Sequence, residues 1–206
     1  MLLEEIISIF SDETTARALV FAFRFLAFHP EMQEKILEEN KRVFEEREDI
    51  DYDDVKKLEY ALSVFRETLR MIPIVPNITK VATKKTNLCG YTIPEGTFVN
   101  IDVVGLHRNP QYWENSSEFR PDRFLKSARE SSQFQWVPFS NGKRSCIGTK
   151  FAEIEATLIL SLLTSRYHII CEEGVEPNVR NVQGGIVLGE KEETFLSFKM
   201  RTQKQN

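Results

Sequence analysis

The chain has 206 residues, of which 41% are hydrophobic and 28% charged, enough apolar material for one buried core under an ordinary polar surface. A formal net charge of -4 removes the electrostatic attraction that a polyphosphate partner relies on, so no nucleic acid is expected. The cysteines Cys89, Cys146 and Cys171 are odd in number and far apart, which argues against a disulfide framework and for a reducing, intracellular setting.

No CxxC pair or HExxH run supports a zinc site. The residues from Met1 to Phe10 place Glu4 and Glu5 among Leu and Ile, unlike the basic-then-apolar order of a signal peptide. No stretch reaches the ~18 apolar residues of a membrane span, so the chain as written is expected to carry no anchor.

Residues 2–28 are rich in Leu, Ile, Ala and Phe and free of Gly and Pro, which predicts a helix up to the break at His29-Pro30. Residues 31–47 predict a charged amphipathic helix on Met32, Ile36, Leu37 and Phe44, with Glu31 and Lys35 at ion-pair spacing. Asp51 or Asp53 is placed to cap a third helix. Its apolar residues Val55, Leu58, Leu62, Phe65 and Leu69 step by three and four along one narrow stripe, and Pro73 and Pro76 end it.

The period then falls to two. Residues 77–83, 87–93 and 98–104 predict short strands, with turns at Gly90 and at Pro94-Glu95-Gly96. Residues 105–142 keep no period and predict a long irregular segment, a kind of loop that is usually functional inside a compact domain. Residues 147–163 predict a helix that is apolar on most faces, hence buried, and 167–171 and 194–200 predict strands connected through Gly184-Gly185. The expected class is mainly α with small β-sheets (α+β), in a single unit over residues 1–206.

The strongest chemical signal is Phe139-Ser140-Asn141-Gly142-Lys143-Arg144-Ser145-Cys146-Ile147-Gly148. A glycine-containing loop here presents Cys146 at the mouth of a helix, where free backbone N–H groups and the helix dipole favour the thiolate. Arg144 adds positive charge, Phe139 is placed to cover the sulfur, and Gly142 and Gly148 let the backbone pass close to something flat. A shielded thiolate with no second cysteine beside it suits a haem axial ligand better than zinc. The competing reading is a structural cysteine buried in a turn, which is the commoner fate of an isolated cysteine.

This window resembles the cysteine-ligand signature FxxGxRxCxG of the cytochrome P-450 family. Glu67-Thr68-Leu69-Arg70 is similar to the family's ExxR, and Phe119-Arg120-Pro121-Asp122-Arg123-Phe124 resembles its Pro-Glu/Asp-Arg-Phe element. The resemblance implies the C-terminal part of that fold and a heme b cofactor whose iron takes Cys146 as its thiolate ligand. It also implies that Arg144 contacts a haem propionate, that Phe139, Gly142 and Gly148 bind the cofactor, and that Glu67, Arg70 and Arg123 form a structural triad locking the ligand loop. The residues agree with this: Glu67 and Arg70 share one helical flank and can form a desolvated, bidentate pair that Arg123 joins. The alternative is an exposed helix pair worth a few tenths of a kcal/mol. His107-Arg108-Asn109-Pro110, followed by Trp113, also resembles a family segment, with His107 expected as a packing residue rather than a haem contact.

Glu13-Thr14-Thr15 is similar to the acid-Thr-Thr element of the family's oxygen-activating helix, which makes Glu13 and Thr14 the implied catalytic residues. An acid beside a hydroxyl can relay protons toward dioxygen, and thiolate ligation favours cleavage of the O–O bond. Where the family has a small Ala/Gly-Gly pair before the acid, this chain has Phe10-Ser11. Three functions therefore stay open. The first is a haem-thiolate monooxygenase acting on a small apolar substrate with dioxygen and electrons from a redox partner, by resemblance an NADPH reductase. The second is an isomerase or dehydratase acting on a peroxide without external electrons, and the third is a non-catalytic truncated remnant. Gly184-Gly185-Ile186-Val187 resembles a pocket-lining segment. The parent protein is expected on the cytoplasmic face of the endoplasmic reticulum membrane, attached through an N-terminal portion not present in this chain.

Overall fold

In a computed structural model the chain is described over residues 2–44, 47, 50–125, 134–171, 182–183, 188–190 and 196–201, with side chains described from residue 13 onward except at 182–183 and 189–190. The helices are α1 (Leu2–Phe28), α2 (Pro30–Phe44), α3 (Tyr52–Val55), α4 (Glu59–Met71), α5 (Val103–Arg108) and α6 (Thr149–Arg166). Four antiparallel strand pairs accompany them: β1 (Asn77–Val81) with β4 (Phe98–Asp102), β2 (Thr86–Leu88) with β3 (Tyr91–Ile93), β5 (Tyr167–Cys171) with β8 (Leu196–Met200), and β6 (Val182–Gln183) with β7 (Gly189–Glu190). The class is helix-dominated α+β, as the sequence predicts.

α1 is the central helix. Ala18, Leu19, Phe21, Ala22, Phe23, Phe25 and Leu26 are all buried, and such nearly consecutive burial means that protein covers most of this stretch, with Val20 left exposed. The helix lies against α4, α6 and β5. Its Phe25 ring stacks on Phe119 at 4.2 Å, fastening α1 to the segment after α5. Each such fully buried side chain contributes roughly 1.5–3 kcal/mol of transfer free energy.

Of the boundaries that differ from the sequence-based expectation, three have a clear local reason. Pro30 opens α2 instead of merely interrupting the chain, since a residue without an N–H loses nothing in a helix's first turn. The third expected helix is two. Asp51 and Asp54 form a reciprocal capping box around the short α3, and α4 begins afresh after Leu58. The expected strand 98–104 stops at Asp102, whose carboxylate accepts from the Gly105 N–H at 2.8 Å and caps α5. The β-branched pair Val103-Val104 suggests a strand, and the cap overrides it.

Buried polar side chains hold the helices in place. Leu58, the N-cap of α4, supplies no side-chain cap. Glu39 of α2 does so from outside, accepting from the N–H groups of Tyr60 at 2.7 Å and Ala61 at 3.0 Å. Burial pushes the Glu39 carboxyl up from its ordinary value, and those two N–H groups pull it back. Asn40 donates to the Ser161 carbonyl at 2.9 Å and the Ser165 hydroxyl at 2.7 Å, joining α2 to α6. Gln33 donates to the carbonyls of Leu26 (2.7 Å) and Ile169 (2.8 Å) and accepts from the Ile169 N–H (3.0 Å), so one amide ties α2 to α1 and β5. Among the described residues, no helix is long and apolar enough to cross a membrane.

Replacing Gln33 with Leu takes the partner from both the N–H and the carbonyl of Ile169, while the Leu26 carbonyl keeps the His29 N–H at 3.1 Å. Because each orphaned group costs about 1–3 kcal/mol, Gln33→Leu is expected to lower the stability of the chain by at least about 2 kcal/mol, read as a lower urea midpoint.

Candidate functional site

The site is built on α4. Glu67 and Arg70 are three residues apart on this helix and both are fully buried. Arg70 Nε donates to Glu67 Oε2 and Arg70 Nη2 to Glu67 Oε1, both at 2.8 Å, giving a bidentate pair. The rest of the guanidinium is used too: Nη1 donates to the carbonyls of His107 (3.0 Å) and Ser116 (2.8 Å), and Nη2 to that of Glu118 (3.0 Å). The Trp113 ring lies 5.4 Å from the guanidinium carbon. Arg123, on the 3-10 turn Pro121–Phe124, donates from Nε to Glu67 Oε1 at 3.2 Å, and the Arg120 N–H reaches the same oxygen at 2.8 Å. The structure thus brings Glu67, Arg70 and Arg123 together in a closed cluster, not on an exposed flank.

From this helix, contacts run to both flanks of the cysteine loop. On the entry side, the Trp136 indole N–H donates to the Arg66 carbonyl at 3.3 Å. On the exit side, Arg66 Nε and Nη2 both donate to Glu153 Oε1 of α6, at 2.9 and 2.7 Å. His107 adds a third tie. Its Nε2 accepts from the Val137 N–H at 2.8 Å, and its Nδ1 lies 3.3 Å from the Leu69 carbonyl. A backbone N–H can only donate, so Nε2 is the bare nitrogen and Nδ1 carries the proton toward Leu69. Burial, with the Arg70 charge assisting, holds His107 well below its ordinary range, at about 4, against the pull of the Leu69 hydrogen bond.

The loop itself is closed by the Cys146 N–H donating to the Phe139 carbonyl at 2.9 Å. Within it, residues 142–144 form a 3-10 turn, and the Asn141 side chain accepts from the Gly142 N–H at 2.6 Å. Gly142 has φ +80 and no heavy atom within 4 Å of where a Cβ would stand, so conformation, not crowding, requires glycine there. Cys146 and Arg144 are exposed, whereas the half-buried Phe139 packs on the core with its ring edge-on to Trp136 at 6.2 Å.

Cys146 stands further from the helix than the sequence suggests. α6 starts at Thr149 with Gly148 as its N-cap, and the Cys146 N–H closes the loop instead of opening the helix. The sulfur lies 3.7 Å from the position a Gly148 Cβ would take, and the Thr149 hydroxyl donates to the Cys146 carbonyl at 2.9 Å. Nor is α6 buried at this end, where Ile147 (103%) and Phe151 (60%) are open to solvent.

The implied catalytic pair lies in α1. Glu13 is exposed and ion-paired with Arg17 at 2.6 Å, one turn on. Thr14 is half-buried, and its neighbour Thr15 is buried. The side chains of Phe10 and Ser11, and all of Gly184-Gly185-Ile186-Val187, lie outside the described residues. Arg66, Trp136 and Glu153 escaped the sequence reading, and His107 was read only as packing. Their partners are 30 to 87 residues away along the chain, and a single sequence carries no signal at that range.

What sets Cys146 apart from the other exposed cysteine, Cys89, is a loop pinned at both ends beside uncovered Ile147 and Phe151, which defines the class: a protein that presents a soft sulfur ligand next to an apolar surface. Among the described residues, no group of three or more His, Cys, Asp or Glu side chains could hold a metal ion by itself. A metal held by Cys146 would therefore have to bring its other ligands with it, and the space beside Gly142 is open to such a group.

Comparison with known proteins supplies the family. The cytochrome P-450 family profile matches residues 6–196. Rabbit (Oryctolagus cuniculus) cytochrome P-450 3A6 is 36% identical over 184 residues, covering 88% of this chain and 37% of that protein. Cytochrome P-450 3A13 of Mus musculus is 35% identical with the same coverage. Cytochrome P-450 3A19 of Capra hircus aegagrus is 35% identical over 84% of this chain and 80% of that sequence. The chain belongs to the cytochrome P-450 family, whose members hold haem through a cysteine thiolate, and it spans 37% of the length of the first two of these relatives.

Two outcomes follow from the geometry. Removing either member of the buried Glu67–Arg70 pair strands a charge in the interior, so Glu67→Leu or Arg70→Leu is expected to cost about 3–5 kcal/mol, read by urea unfolding. Arg70→Lys is expected to be nearly as damaging, because an ammonium cannot serve the carboxylate and three carbonyls together. His107 sets a pH dependence. Its folded value near 4 lies below the 6.5 of free imidazole, so the unfolded chain takes up the proton first. Its contribution is complete above about pH 6.5 and drains away as pH falls toward 4, by on the order of 3 kcal/mol in full. Urea titrations between those limits should show this slope in the wild-type chain and a shallower one in His107→Gln.

Proposed function

We propose that this chain is the ligand-bearing part of a haem-thiolate monooxygenase that inserts one atom of dioxygen into a small apolar substrate, with electrons delivered by a redox partner such as an NADPH reductase. The observation that carries this reading is the exposed thiol of Cys146, on a loop whose flanks are tied to α4 and to His107.

In this reading Cys146 would hold the iron of heme b through its thiolate, and the bound group would supply the activation of dioxygen, which an electron-rich thiolate promotes. Arg144, exposed on the loop, neutralises a propionate carboxylate. Gly142 and Gly148 would leave room for the cofactor beside the loop, and the Phe139 carbonyl fixes the main chain of Cys146. Thr14, half-buried on α1, would offer a hydroxyl and Glu13, paired with Arg17, a carboxylate for proton supply to the bound group. Glu67, Arg70 and Arg123 keep the loop's support rigid without touching the cofactor. The parent protein would be held on the cytoplasmic face of the endoplasmic reticulum through its N-terminal portion.

The test is the carbon monoxide difference spectrum of the reduced protein, expressed with haem supplied, compared with Cys146→Ala. A thiolate-type band in the wild-type chain that disappears in the variant is expected. No stoichiometric haem, or the same band in both proteins, would overturn the assignment.

A further inference from the structure

His107 is fully buried, yet it is a polar side chain whose two ring nitrogens both meet backbone. One partner, the Leu69 carbonyl, is in α4 beside Arg70. The other, the Val137 N–H, lies on the stretch leading to Phe139, whose carbonyl takes the Cys146 N–H at 2.9 Å. A continuous path of short polar contacts thus runs from α4 through the imidazole to the main chain that carries the thiol. Val137 belongs to no helix or strand. The carbonyl of Val137 also accepts from the Ser140 N–H at 3.0 Å, so the residue His107 grips is the one on which the loop turns.

We infer that His107 is a positioning residue for the thiol loop, its neutral imidazole setting the position of Val137 and so the place from which Cys146 is presented. The inference rests on the reading of Cys146 as the ligand, but it concerns the polypeptide alone. Arg70 supports the arrangement from the other side: its Nη1 donates to the carbonyl of His107 itself, so the histidine's main chain is held by the same cluster that fixes α4. The imidazole acts as an acceptor toward Val137, a job that a protonated ring or an apolar substitute cannot do.

Two conservative variants separate the contacts. In His107→Gln the amide oxygen reaches about as far as Nε2 and keeps an acceptor for the Val137 N–H. In His107→Asn the shorter amide matches Nδ1, keeping the Leu69 contact and losing the one to Val137. Hydrogen exchange at the Val137 and Cys146 amides is measured in the full chain without haem, together with the rate of Cys146 alkylation by iodoacetamide, resolved from Cys89 and Cys171 by peptide mass. His107→Asn is expected to speed exchange and alkylation at the loop by about tenfold, the change that loss of one backbone hydrogen bond predicts. Exchange in α2 and at the centre of α4 should stay unchanged, and His107→Gln should remain near wild type. Wild-type loop behaviour in both variants would overturn the inference, as would equal loss of protection throughout the chain in both. Because these readouts need no haem, failure of Cys146 to ligate iron appears separately, in the carbon monoxide spectrum.

Discussion

The structure depends on one buried carboxylate meeting one buried guanidinium. Neither Glu67 nor Arg70 has any exposed side-chain surface, and two charges so far from water are tolerable only when each lone pair and each proton finds a partner. Arg70 meets that demand by drawing in carbonyls from His107, Ser116 and Glu118, and Glu67 by drawing in Arg120 and Arg123. The segment after α5, which has little regular structure of its own, is thereby folded around an ion pair. Its backbone groups find in a side chain the partners that a helix or sheet would otherwise supply.

α4 is consequently more than a core helix. Its apolar residues, Val64, Phe65 and Leu69 among them, bury it against its neighbours. Its polar residues, Arg66, Glu67 and Arg70, each leave it for a different part of the chain. With His107 contributed by α5, the helix reaches both flanks of the loop bearing Cys146. An exposed loop with a positive-φ glycine would be mobile if held only by its own turn. Fastening its flanks to a buried helix limits that freedom while leaving the sulfur accessible, a combination that a preorganised ligand requires.

Much of the fold was legible because it is local. An unbroken run of good helix formers ended at His29-Pro30, and α1 ends at Phe28. Gly90 marked a turn, and the β2–β3 hairpin turns there with positive φ at Cys89 and Gly90. The loop from Phe139 to Gly148 and the pair Glu67 and Arg70 stood out through their resemblance to family motifs, since a lone cysteine or an isolated helix pair carries little signal by itself. What went astray was competition between local signals of similar strength. Val103-Val104 favours strand while Asp102 favours a helix cap, and the split of the third helix turned on whether Asp51 and Asp54 would cap one another.

By itself the sequence determined the helix-rich class, the long first helix and the hairpin, because each follows from periodicity or from turn chemistry. Only the tertiary structure decided that Arg66 spans to Glu153, that Glu39 caps a helix other than its own and that His107 is neutral with its bare nitrogen facing Val137. These are hydrogen bonds between residues far apart in the chain. Their partners are chosen by which polar groups folding leaves buried together, and nothing in the neighbouring residues records that choice.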